Sequence, residues 1–84
     1  MNKISIGIVT AQGCSKCQKA NKVIRNLMKD IQGITVKEIN IIENPEIAVK
    51  YGVFSTPAII INGKLEFNLV PSEEELKVAI KKHR

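Results

Sequence analysis

The sequence predicts an α/β domain: a four-stranded mixed sheet flanked by three helices, in the order β-α-β-α-β-β-α. Three observations carry this expectation. Short β-branched runs begin at Ile4, Ile34 and Ala58, and segments of helical periodicity lie between them. The first helical segment joins two such runs, as the crossover helix of a parallel pair does. Asn62-Gly63 directly follows the third run, and this dipeptide marks a two-residue hairpin turn. The 84 residues imply one domain, 1–84, because domains usually run to about 100–150 residues. A chain of this size buries only about 60% of its unfolded surface, so each apolar position counts.

Each element has its own reason. Ile4, Ile6 and Ile8 alternate and Val9 extends them, which predicts a strand over Lys3–Thr10. After the Ala11-Gln12-Gly13 loop, Cys17, Ala20, Val23, Ile24, Leu27, Met28 and Ile31 recur at spacings of three and four. They predict a helix over Ser15–Ile31, with Lys16, Lys19, Lys22, Arg25 and Lys29 on its solvated face and Gly33 as its stop. Ile34–Ile42 reads as the second strand. Asn44 is the expected N-cap and Pro45 the first residue of a short helix that runs to Tyr51 and ends at Gly52. Ala58–Ile61 is the third strand and Lys64–Leu69 its antiparallel return. Ser72 and Glu75 have capping-box spacing and open the last helix. Leu76, Val78, Ala79 and Ile80 should form its apolar side, while Lys81, Lys82 and Arg84 suit its negative end. His83 is expected to be exposed there, Tyr51 and Phe54 to lie in the core or, as a second reading, to make rim contacts, and Phe67 to pack under a helix.

Composition excludes several classes. The chain is 44% hydrophobic and 25% charged, which argues against wholesale disorder. With two Phe, one Tyr and no Trp, the core must be aliphatic. The formal net charge of +5 is moderate, aromatic residues for stacking on bases are scarce, and no basic run appears, so nucleic acid is not an expected partner. No segment approaches the ~20 apolar residues of a membrane span. The apolar run Ile4–Ala11 is short and almost without a charged leader, so it is not read as a signal peptide, and a cytoplasmic location is expected. Neither a glycine-rich phosphate loop nor a Ser-His-Asp set is present.

Only two cysteines occur, Cys14 and Cys17. They are too few for a disulfide-stapled secreted domain, and with one histidine they do not complete a four-ligand zinc site in one chain. Cys14 should lie at or next to the N-cap of the first helix, where the helix dipole and unpaired N–H groups favour a thiolate and lower its pKa below the ~8.5 of a free thiol. Lys16 and Lys19 add positive charge nearby. Cys17 falls on the apolar stripe and should be buried. Two unequal thiols, three residues apart, suit dithiol–disulfide exchange, with Cys14 as nucleophile and Cys17 resolving the mixed disulfide. The rival reading is a binding module without turnover, holding a metal at Cys14 and Cys17 across a dimer or docking through the basic helix.

Taken in order, these segments resemble the thioredoxin fold family over nearly the whole chain. Gly13-Cys14-Ser15-Lys16-Cys17 is similar to the family's active-site loop. Asn40-Ile41-Ile42-Glu43-Asn44-Pro45 with Lys50-Tyr51-Gly52-Val53 resembles its second strand and second helix. Ser55-Thr56-Pro57-Ala58-Ile59-Ile60-Ile61-Asn62-Gly63 resembles the cis-proline segment and hairpin. The length, with Asn62-Gly63-Lys64 and Pro71-Ser72-Glu73-Glu74 near the end, looks closest to the small thioredoxin- and glutaredoxin-like redox proteins of archaea and bacteria. The resemblance implies a thioredoxin fold and a protein-disulfide reductase or electron carrier without a resident cofactor. It further implies that Pro57 is cis beside the disulfide and that the Thr56 backbone pairs with an extended substrate segment. Without it, Pro57 reads simply as a proline at the first residue of a strand.

The departures from the family pattern define what is open. Ser15-Lys16 replaces the Gly-Pro or Pro-Tyr found between the cysteines, and these residues tune the nucleophile. The family's buried aspartate aligns with Ile8, so that proton acceptor is lost. Glu38 aligns with the lysine that accompanies it; it reads first as a solvent-facing strand glutamate and second as a substitute acceptor. Asn68-Leu69-Val70-Pro71 stands where glutaredoxins carry Gly-Gly and an acidic residue. Glutathione is therefore not an expected partner. A thioredoxin-reductase-type flavoprotein is the expected electron donor, protein disulfides the expected substrates, and a monomer the expected state.

Overall fold

The computed structural model describes residues 3–83. Its elements are β1 (Ile4–Thr10), α1 (Ser15–Met28), β2 (Ile34–Asn40), α2 (Glu46–Tyr51), β3 (Ala58–Ile61), β4 (Lys64–Phe67) and α3 (Glu73–Lys82). The sheet order is β2-β1-β3-β4. β1 and β2 run parallel, from Ile4 opposite Ile34 to Thr10 opposite Asn40. β3 is antiparallel to both β1 and β4. The predicted α/β order and mixed sheet are the observed ones.

β3 is apolar and buried on both faces, whereas β1 is buried along one face and, on the other, at Val9. Ile4, Ile6 and Ile8 of β1 and Ile59 and Ile61 of β3 face Ala20, Ile24 and Leu27 of α1 and Leu76, Ala79 and Ile80 of α3. On the opposite face Val9, Ala58 and Ile60 join Val53, with Ile47 and Tyr51 of α2 packed against them. The β3–β4 hairpin closes through Asn62 and Gly63, both at positive φ (50° and 82°), which suits asparagine and glycine. Asn62 also ties the turn to β1: its N–H donates to the Ser5 carbonyl at 2.8 Å, and its Oδ1 accepts from the Ser5 N–H at 2.9 Å.

Several boundaries differ from expectation, each for a local reason. α1 ends at Met28, not Ile31, because its last turn tightens: Lys29 N–H donates to Asn26 O and Asp30 N–H to Leu27 O. Ile31 still packs on the core. β2 ends at Asn40, not Ile42, because the Asn40 side chain accepts from the N–H groups of Ile42 and Glu43 and turns the chain out of the sheet. Ile42 is left 76% exposed. Pro45, not Asn44, occupies the N-cap of α2, and the Asn44 side chain bonds back to Asn40 O.

β4 stops at Phe67, two residues early, as Asn68 leaves the sheet to make other bonds. Between them lies an irregularity that the sequence does not advertise. Leu65 pairs with Ile60 and Phe67 with Ile59, so Glu66 is an extra residue. In a regular strand Leu65 and Phe67 would share a face. Here Leu65 packs on the α2 side and Phe67 on the α1–α3 side, under the helices as expected.

On α3 the capping box forms: Glu75 N–H donates to Ser72 Oγ at 3.1 Å and Ser72 N–H to Glu75 Oε1 at 2.9 Å. Val78 is not on the apolar side. It is 61% exposed, off the Leu76, Ala79 and Ile80 stripe. His83 is not exposed either. Its Nε2 lies 2.6 Å from Glu66 Oε2, and Lys82 Nζ lies 3.3 Å from Glu66 Oε1. A carboxylate only accepts, so the ring nitrogen donates. The predicted role of Arg84 falls outside the described residues.

The His83 hydrogen bond holds the Glu66 carboxyl below its ordinary range; Lys82 reinforces the shift and partial burial opposes it. A carboxyl with a lowered folded-state pKa contributes stability above its unfolded pKa. That contribution is lost as pH falls through the folded value. Glu66→Gln is expected to lower stability near neutral pH by on the order of 1 kcal/mol, with the difference disappearing in acid. Urea midpoints of both proteins across pH 2–8 (approximate range) check this; a difference that persists unchanged into acid would refute the assignment.

Candidate active site

The site is built where β1 hands the chain to α1. Thr10 ends the strand buried, and Gly13 takes the positive φ of 76° that the short loop needs. Cys14 then adopts extended backbone angles (φ −89°, ψ 100°) and becomes the N-cap of α1. Its Sγ accepts the Cys17 N–H at 3.1 Å, the bond that a capping serine or aspartate oxygen ordinarily makes. The cap sulfur is thus also the candidate nucleophile.

One turn on, Cys17 heads the buried stripe of α1 and is 4% exposed, while Cys14 is only half-buried. The unequal burial expected from the sequence is therefore present. Their Cα atoms are 5.3 Å apart and the two sulfurs are joined in a disulfide. Ser15 and Lys16, between them, are exposed on the outer side of the first turn.

A second segment meets the pair from across the sheet. Thr56-Pro57, a cis peptide bond, precedes β3. The Thr56 hydroxyl donates to Cys14 Sγ at 3.4 Å. Pro57 is fully buried next to it. Among the described residues, the Thr56 main chain makes no hydrogen bond. Its neighbours, in contrast, are held. The Asn68 side-chain amide donates to Ser55 O at 2.8 Å and to Pro57 O at 3.2 Å. Asn68 was not singled out from the sequence, and nothing local to a loop asparagine marks it for this task.

Glu38 is exposed on β2, as first expected, yet it also lines a small cleft of about 170 Å³ with Thr10, Cys14, Cys17, Gln18 and Asn21. The two readings of Glu38 are thus compatible. Asn21 Oδ1 is buried without a partner among the described residues. Its signal was available: Asn21 is the polar residue four after Cys17, on the face of α1 that should be apolar. The basic face of α1 is exposed, and Lys16 and Lys19 from it line a larger groove, about 420 Å³, together with Thr56 and Pro57. Phe54, expected in the core, is 95% exposed. It follows the left-handed Gly52 that ends α2, and Val53, not Phe54, turns inward. Tyr51 packs against the smaller core. No group of three or more His, Cys, Asp or Glu side chains among the described residues is placed to hold a metal.

The Asn68 clamp is testable. Asn68→Asp keeps the shape but removes both donors, so it should cost about 1 kcal/mol and lower Tm by roughly 4–8 °C. A thermal melt at the wild-type Tm would show that the clamp is not holding the Thr56 segment.

Comparison with known proteins places this geometry. Residues 3–81 match the family model described as Thioredoxin domain. A thioredoxin of Methanocaldococcus jannaschii is 37% identical over 83 residues, covering 98% of both chains. A probable thioredoxin of Methanothermobacter thermautotrophicus is 37% identical over 78 residues, covering 92% of each. Among solved structures, thioredoxin-2 of a malaria parasite superposes with a TM-score of 0.80 at 25% identity, over 98% of this chain and 84% of its own.

Proposed function

The chain belongs to the thioredoxin family and is a dithiol oxidoreductase acting on protein disulfides; we propose that Cys14 is its nucleophile, Cys17 its resolving thiol and Glu38 the acceptor of the Cys17 proton. The observation that carries this reading is the cap bond. In the reduced protein the Cys17 N–H and the helix N-terminus favour charge on Cys14 Sγ, whereas Cys17 is buried, which favours the neutral thiol. The Thr56 hydroxyl adds a second donor to the same sulfur.

The exchange then has two steps. Cys14 thiolate attacks one sulfur of the substrate disulfide, a Cys14–substrate S–S bond forms, and the other substrate sulfur leaves and takes a proton. Cys17 next loses its proton, and its sulfur attacks Cys14 Sγ. The Cys14–Cys17 bond forms, the substrate leaves with both sulfurs reduced, and two electrons have passed from protein to substrate. Glu38 is the carboxylate that shares a cleft with both cysteines, which supports it as the base for the second step. The unpaired main chain of Thr56, beside Cys14, supports a role in holding an extended substrate segment by backbone hydrogen bonds, with Pro57 setting its position. Ser15 and Lys16, exposed between the thiols, are read as tuning Cys14.

The cycle needs no bound cofactor of its own. A flavoprotein reductase of the thioredoxin-reductase type returns the electrons in this reading, and glutathione does not. Both thiols come from one turn of one helix, which supports the monomer as the working unit. None of the described helices is long and apolar enough to cross a membrane, and a reducing cytoplasm is the compartment in which such a dithiol is kept ready.

Three variants test the assignment. Cys14→Ser should abolish insulin disulfide reduction. Cys17→Ser should accumulate a mixed disulfide through Cys14, seen by mass spectrometry. Full activity in both refutes the roles. Glu38→Gln should slow the resolving step about tenfold or more near neutral pH and much less at alkaline pH, where hydroxide replaces the base. A rate–pH profile identical to wild type would remove Glu38 from the mechanism.

A further inference from the structure

Two surface grooves meet at Thr56, and their linings differ in kind. On one side lies the larger groove, about 420 Å³, walled by Lys16 and Lys19 of α1 and by Asn68 and Leu69 after β4. Its lining contains two lysines and no acidic residue. On the other side lies a groove of about 210 Å³, walled by Ala11, Ile41, Val53 and Phe54, which are apolar throughout. Ser55 and Thr56 line both. Phe54 has almost its whole ring in solvent at 95% exposure, an unusual position for one of the chain's three aromatic residues. The sulfur of Cys14 is 3.4 Å from the hydroxyl of Thr56, the residue that both grooves share.

We infer that the preferred substrate is an extended polypeptide segment whose reactive cysteine is flanked on one side by an apolar residue and on the other by an acidic one. This rests on the reading above, in which the Thr56 main chain pairs with the substrate. In an extended segment, side chains a few residues apart are carried about 3.3 Å per residue along the strand. A cysteine held at Cys14 therefore sends its two flanks toward opposite grooves. The Phe54 groove removes an apolar flank from water. The lysine groove attracts a carboxylate and repels a lysine or arginine flank, and this preference is screened by salt. Cations on one side and bare apolar surface on the other also give the bound chain a direction, which the backbone bonds of one residue do not.

The test uses short disulfide-bridged peptides that differ only at the flanks of one cysteine: leucine with glutamate, leucine with lysine, and serine with glutamate. The leucine–glutamate peptide should have the highest kcat/KM, about tenfold or more above each of the others. The glutamate-over-lysine preference should shrink as salt is raised. Lys19→Glu should invert it, and Phe54→Ser should erase only the leucine-over-serine preference. Equal kcat/KM for the three peptides overturns this inference while leaving the oxidoreductase reading intact. Failure to reduce any of them with both thiols free overturns the reading beneath it. Faster reduction of glutathione disulfide than of the best peptide also overturns the inference, because the lysine groove would then serve a small anionic thiol.

Discussion

The hydrogen bond from the Cys17 N–H to Cys14 Sγ is the constraint on which the active site turns. A helix must satisfy its first N–H groups, and here a sulfur does so in place of an oxygen. That single choice places the Cys14 sulfur at the positive end of α1, half-buried. It also fixes the second thiol one turn in, on the buried stripe that Ala20, Ile24 and Leu27 continue. The unequal burial of the two sulfurs is thus a consequence of helix geometry and of amphipathic patterning, and the Thr56 hydroxyl adds a second donor on the Cys14 side.

The rest of the fold holds two loops against that helix end. β1 delivers the chain to Cys14, and β3, its antiparallel neighbour, begins just after Thr56-Pro57. Adjacent strands therefore bring residues 42 positions apart into contact. The hairpin partner of β3 contributes the bulge at Glu66 and then Asn68, whose amide holds Ser55 O and Pro57 O; among the described residues the Thr56 main chain between them has no partner. The aliphatic core on both faces of β1 and β3 supplies the rigidity behind this arrangement.

Most of the architecture was legible because it rests on local chemistry. The alternating isoleucines, the three-and-four stripe of α1, Asn62-Gly63 and the Ser72–Glu75 box each specify a structure by short-range rules, and each formed. The cysteine pair was legible for the same reason. What escaped depended on side chains acting at a distance or against their usual habit. Asn40 ended β2 by accepting hydrogen bonds from the next turn, although Ile41 and Ile42 looked like strand. Val78 has the right chemistry for the core but the wrong helical angle. Residue type alone favours Phe54 inside over Phe54 at the rim, and His83 outside; the fold instead leaves the phenylalanine in solvent beside the site and draws the histidine in to the bulged Glu66. Asn68 carries no local signature, because its partners lie over ten residues away.

Helix placement sets Cys14 apart from Cys17. The most direct test of this is the pH dependence of alkylation of the fully reduced protein by iodoacetamide, with each modified cysteine located by mass spectrometry. Cys14 should be modified first at every pH, its reaction should already be fast below pH ~8.5, the pKa of a free thiol, and Cys17 should resist until the protein unfolds. Equal rates at both cysteines, or faster modification of Cys17, would contradict this.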